Sequence, residues 1–343
     1  MSEIDIPEPD REGDLAHPRS VYDLFGHDAA EAAMARALDS GRMHHAWMIT
    51  GPKGVGKATL AWRLARRALG AKPVGEGLAA DPMDPACRKL EALSHPDFLL
   101  IRRPFNEKTK KLRAEITVEE SRRAPDFFSR SASGGHWRVC LVDAADELNI
   151  NAANALLKTL EEPPRRGLLI LVVNTPGRLL PTIRSRCRRL SLRAPSVEET
   201  ASWLSEAHRI GEDDAARAAA LAAGAPGRAL SLAATDAPKL KDDLDQALSR
   251  LPSLDRAAAA RLAASTARKD GEAMKALLLD FLTSYARDRA RSLALGQGGP
   301  EAAGGWVKAA DEIARLARES ETLYLDPKQT IWAALGLVQD AAA

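Results

Sequence analysis

The stretch Gly51-Pro52-Lys53-Gly54-Val55-Gly56-Lys57-Ala58 decides how the chain is read. It follows an apolar run, Ala46-Trp47-Met48-Ile49-Thr50, and opens into the helical pattern Thr59-Leu60-Ala61-Trp62-Arg63-Leu64. Strand, glycine loop and helix in that order give the G-x-x-x-x-G-K pattern the context of a phosphate-binding loop. Glycines let backbone N–H groups wrap an anion, and the helix N-terminus adds positive potential. Gly51, Gly54, Gly56 and Lys57 are therefore the candidate nucleotide ligands, with Lys57 reaching the outer phosphates. The eighth position is Ala58, where a Ser or Thr hydroxyl should hold magnesium. Thr59 does not easily replace it, because one helical step turns a side chain by about 100°.

Working outward, Phe98-Leu99-Leu100-Ile101, Arg138 to Asp143 and Leu168 to Val173 read as buried strands. Helical patterns lie over 29–40, with Asp28 as N-cap, and over 151–162, where Ala153, Leu156, Leu157 and Leu160 share a face ended by Pro163-Pro164. Buried strands alternating with helices predict a parallel sheet in an α/β layered fold. Residues 71–96 read as loop-rich, and 102–113 as a basic loop or hairpin. No strand pattern remains beyond Pro195. Helices are expected over 197–208 and 212–223, broken at Gly224-Ala225-Pro226-Gly227, and again through 240–343. Asp326, Pro327 and Gln329 form a well-made start for the last helix. The expected division is a disordered acidic tail at 1–17, an α/β domain at 18–194, a small helical domain at 195–240 and a helical C-terminal domain at 241–343.

The chain has 343 residues, 45% of them hydrophobic and 28% charged, and no apolar run approaches the ~20 residues of a membrane span. Through Asp14 the N-terminus carries six acids against Arg11, a net of −5, unlike a signal peptide. The whole chain is +2, so the remainder is +7, which permits contact with nucleic acid without requiring it. Cys87, Cys140 and Cys187 are odd in number and far apart, as expected of packed residues in a reducing cytoplasm.

A nucleotide hydrolase of this layout also needs a strand-end acid for magnesium, an acid that positions water, and a cation for the transition state. Asp143 fits the first place, but Ala144 stands where the water-positioning acid belongs. Losing even one well-placed electrostatic contact costs about 3 kcal/mol in the barrier. With Ala58 and Ala144 both lacking an oxygen, the chain is not expected to hydrolyse ATP usefully. The alternative is an active ATPase in which Thr59 and Asp146 fill in. Leu179 to Arg189 is dense in arginine, which reads either as a basic surface or as the source of a finger for a neighbour's site. Such a finger is worth about 10³–10⁵ in rate.

Asn154-Ala155-Leu156-Leu157-Lys158-Thr159-Leu160-Glu161-Glu162-Pro163-Pro164, followed by a strand and Ser185-Arg186-Cys187, resembles the AAA+ subunits of the bacterial DNA polymerase III clamp loader. Gly41 to Ala46, His95-Pro96-Asp97 and Leu325 to Gln329 are similar to the same family, so the resemblance runs from about 20 to 340. It implies a AAA+ phosphate-loop domain, a helical lid at 195–240 and a helical oligomerisation collar at 241–343. The lost acid implies a non-hydrolysing member of the DNA polymerase III holoenzyme rather than the gamma/tau motor. Arg186 is then the arginine finger acting in trans. Asn174 and Thr175 match the sensor-1 region, and Asp143 and Asn174 join the loop in a degenerate ATP or ADP site. In the sensor-2 stretch Gly224 to Leu230 the expected arginine falls on Gly227, with Arg228 displaced by one. Implied partners are gamma/tau and delta subunits, a sliding clamp and primed DNA, with Lys158 a candidate phosphate contact. Many relatives carry a four-cysteine zinc module before His-Pro-Asp; only Cys87 stands in that interval, so no zinc is expected.

Overall fold

The computed structural model describes residues 8–12, 15–109, 111–130, 132, 136–235, 237–267, 271–296, 299–323 and 325–343. The chain divides into two compact units, residues 1–231 and 232–343. In the first, strands β1 (Ala46–Thr50), β2 (Phe98–Ile101), β5 (Arg138–Asp143), β6 (Gly167–Val173) and β7 (Arg188–Ser191) form a parallel sheet in the order β2-β5-β6-β1-β7. A short antiparallel hairpin, β3 (Phe105–Asn106) with β4 (Lys111–Leu112), lies within the basic stretch after β2. The helices of this unit are α1 (Asp28–Asp39), α2 (Lys57–Ala68), α3 (Pro85–Glu91), α4 (Val118–Phe128), α5 (Ile150–Glu161), α6 (Pro181–Arg184), α7 (Val197–His208), α8 (Glu212–Leu221) and most of α9 (Pro226–Ala233).

Every residue of β1, β5 and β6 is buried, which is what a sheet covered on both faces demands. Successive side chains point to opposite faces, so the strands supply two cores at once. Trp47, Ile49, Val139, Leu141, Leu168 and Ile170 pack with Leu60, Trp62 and Leu64 of α2. Met48, Cys140, Val142, Leu169 and Leu171 pack with Leu156 and Leu160 of α5 on the other side. Trp47, Trp62, Cys87 and Cys140 are thus packed residues, while Cys187 is half-buried. The expected α/β architecture is present, with its phosphate loop at the carboxyl end of β1. There the strand order switches direction, the place where open α/β sheets bind ligands.

Several expectations need correction. The sequence pattern misses β7, because Arg188 and Arg189 make an edge strand without an apolar run. It also misses α3, which sits in a stretch read as loop-rich, and α4, which falls where no element was assigned; α3 is capped by Asp84, whose side chain accepts from Ala86 N. Helix α1 begins at Asp28 itself, with His27 in the cap position. The tail expected at 1–17 lies partly outside the described residues, at 1–7 and 13–14. Its described residues are tied down: Glu8 pairs with Arg19, Asp10 with His17 at 3.0 Å and Arg102 at 2.5 Å, and Glu12 with Lys53 at 3.1 Å.

The second unit contains α10 (Ala237–Leu248), α11 (Arg256–Ser265), α12 (Gly271–Leu295), α13 (Gly299–Leu323) and α14 (Pro327–Ala342). Leu244, Leu262, Leu278, Phe281, Ile313, Ile331 and Leu335 are among its buried residues. Asp326 caps α14 by accepting from Gln329 N, as its sequence indicates. Among the described residues no helix is long and apolar enough to cross a membrane.

Candidate functional site: a phosphate loop and a distant arginine

The loop between β1 and α2 turns on glycines in the left-handed region. Gly56 caps α2 at φ 105°, and Gly54 sits at φ 75°. A methyl group at 54 would lie 2.5 Å from the Arg228 backbone nitrogen, so only glycine allows the start of α9 to come this close. Gly227 N donates to the Gly54 carbonyl at 2.8 Å. The residue that replaces the expected sensor-2 arginine is therefore in backbone contact with the loop. A Cβ at 227 would already stand 3.0 Å from that carbonyl oxygen.

Lys57 is only 4% exposed, and its Nζ donates to Gly51 O at 2.9 Å and Pro52 O at 2.6 Å. The cation is spent on the loop's own carbonyls. Burial lowers its pKa to about 8, against the opposing pull of Asp143 and Asp146. The His27 ring and the Val55 carbonyl are hydrogen-bonded at 2.7 Å, and Glu12 pairs with Lys53 on the outer side. The loop's polar groups are thus aimed at one another and at neighbouring segments.

Asp143 ends β5 almost fully buried, and burial, with Asp10 adding to it and Lys57 opposing, holds its carboxyl well above the usual range. Its Oδ2 makes no hydrogen bond to any described residue. Asp146 is committed elsewhere: Oδ1 accepts from Asn174 N at 2.9 Å and Oδ2 from Thr175 N at 3.0 Å. That carboxylate fixes the turn leaving β6, which argues against its filling the catalytic gap. Asn174 is exposed just past β6, so Lys57, Asp143, Asp146 and Asn174 converge at the carboxyl ends of the central strands. Ala144 is buried beside them and Ala58 half-buried, neither offering an oxygen. Among the described residues no group of three or more His, Cys, Asp or Glu side chains is placed to hold a metal ion.

Arg186 lies apart from this cluster. It follows α6 and precedes β7, whose Arg188 pairs in parallel register with Trp47 of β1. That register puts Arg188 beside Trp47, four residues before Gly51 and roughly 13 Å along the strand, and Arg186 precedes it, toward the amino end of the sheet and away from the loop. Its side chain keeps 35% exposure; Nη2 pairs with Glu161 Oε1 at 2.8 Å and Nη1 donates to Thr182 O at 2.9 Å. Sequence reasoning missed the Glu161 pairing, and so too the buried Asp97–Arg138 pair, because each joins residues far apart in the chain.

A family model described as "DNA polymerase III, delta subunit" matches residues 26–196. The DNA polymerase III subunit delta' of Pseudomonas aeruginosa is 37% identical over 163 residues, 48% of this chain and 47% of that protein. The subunit delta' of Escherichia coli is 34% identical over 215 residues, 63% of this chain and 62% of its own length. The subunit tau of Escherichia coli is 34% identical over 184 residues, 53% of this chain and 27% of that protein. The chain thus spans about half to three-fifths of the length of these delta' relatives. Phosphate loop, sheet and matched sequence agree, and the chain, through residues 26–196, belongs to the delta-prime family of DNA polymerase III subunits.

Proposed function

We propose that the chain is a non-hydrolysing subunit of the DNA polymerase III clamp loader that lends Arg186 to the ATP site of an adjoining gamma/tau subunit. The observation that carries this reading is the placement of Arg186: half-exposed, at the opposite end of the sheet from its own phosphate loop. From there it can serve only a second chain. The loop supports the other half of the reading. A nucleotide phosphate would have to pull Lys57 from two carbonyls in a pocket with no hydroxyl at 58 and no acid at 144. ATP or ADP is accordingly not a resident ligand of Gly51, Gly54, Gly56, Lys57, Asp143 and Asn174 in this proposal, and the chain alone is not an ATPase.

Residues 18–194 act as the AAA+ domain, 195–240 as the lid and 241–343 as the collar that joins the ring. The assembly, completed by delta, opens a sliding clamp and places it on primed DNA. Lys158, exposed on α5, is offered to the DNA phosphate backbone, a contact that adds affinity without sequence readout.

Reconstitution of the complex with Arg186→Ala tests the reading. DNA-stimulated ATP turnover at the adjoining gamma/tau site is expected to fall by about 10³-fold or more. Unchanged turnover in an assembled complex would refute the finger assignment.

A further inference from the structure

We infer that Glu161 is a positioning residue that holds Arg186 back on the free subunit and releases it to a neighbour's triphosphate. The inference rests on the proposed role of Arg186. Both terminal nitrogens of that arginine are engaged within its own chain, one by Glu161 Oε1 and the other by the Thr182 carbonyl. A guanidinium presents these nitrogens as a fork to carboxylates and phosphates. In this pose the fork is turned home.

Glu161 is the last residue of α5, where the helix dipole disfavours a carboxylate. The Arg186 cation offsets that cost, so the pair is mutually stabilising while the arginine stays. A phosphate group carries more charge than one carboxylate and offers more acceptor oxygens, so it displaces Glu161 when the neighbour holds ATP. Without a triphosphate opposite, Arg186 stays on Glu161. The latch thereby makes the docked finger depend on the neighbour's nucleotide. The pair is half-exposed, with side-chain exposures of 35% and 51%, which keeps the latch weak enough to open.

The test titrates this subunit into gamma/tau and delta and reads both the concentration for half-maximal ATP turnover and the maximal rate. Glu161→Gln keeps the side-chain shape and removes the charge. It is expected to lower the half-maximal concentration about two- to fivefold, the strength of an exposed ion pair, and to leave the maximal rate unchanged. Glu162→Gln removes the same charge one residue away from the pair and is expected to shift nothing. Glu161→Gln added to Arg186→Ala is expected to behave as Arg186→Ala alone. An unchanged or raised half-maximal concentration in Glu161→Gln, with turnover still lost in Arg186→Ala, overturns the latch and leaves the finger standing. An equal shift in Glu162→Gln also overturns it, by reducing the effect to net charge. If Arg186→Ala itself changes nothing, the finger reading fails instead.

Discussion

Lysine at position 186 is expected to recover little of the ATP turnover that alanine removes. Arg186→Lys keeps the charge and much of the length, yet it replaces a planar fork with a single ammonium. A finger works by stabilising charge spread over several phosphoryl oxygens in the transition state, which a point donor matches poorly. At least about a hundredfold of the loss should therefore remain in the assembled complex. The effect is expected in the rate and not in assembly, since among the described residues the Arg186 side chain is held by Glu161 and the Thr182 carbonyl at a half-exposed site. Steady-state turnover with primed DNA, beside a sedimentation check of assembly, measures this. Full activity in Arg186→Lys would mean that the site needs only a positive charge.

The second large effect concerns stability. Asp97 and Arg138 are both nearly buried and pair at 3.0 Å, and the Arg138 guanidinium also lies over the Phe127 ring at 4.1 Å. The Asp97 carbonyl accepts from Val139 N at 2.9 Å. The His95-Pro96-Asp97 motif therefore anchors the entry of β2 to the start of β5. Asp97→Ala leaves a buried guanidinium without its carboxylate, and breaking such a pair from one side costs about 3–5 kcal/mol. Asp97→Asn retains an acceptor and should cost less. Equilibrium urea denaturation of the full chain reads both; a loss under about 1 kcal/mol for Asp97→Ala would mean that Arg138 finds another carboxylate or water.

The α/β core was legible in the sequence because β1, β5 and β6 are apolar on both faces, and a continuous apolar run announces such a strand without reference to its partners. β7 was not, since an edge strand carrying Arg188 and Arg189 has no such run, and its pairing with β1 is set by the fold. The glycine loop was legible for a similar local reason. What closes it was not: Gly227 on Gly54, His27 on Val55 and Glu12 on Lys53 are meetings of distant segments. The acidic stretch before Arg19 looked like a solvated tail because its charges outnumber its apolar residues. Arg19, Arg102, His17 and Lys53, which pair with it, are scattered over the chain. Asp146 entered only the alternative reading of an active ATPase, and the position of the β6 turn shows both its oxygens occupied.

The central claim is that this chain's own loop takes no part in ATP turnover while its arginine does. DNA-stimulated ATP hydrolysis by a complex rebuilt with Lys57→Met, which keeps the buried stem and removes the ammonium, tests that claim most directly. Turnover equal to that of the unaltered complex is the predicted result; a fall comparable to that of Arg186→Ala would contradict it.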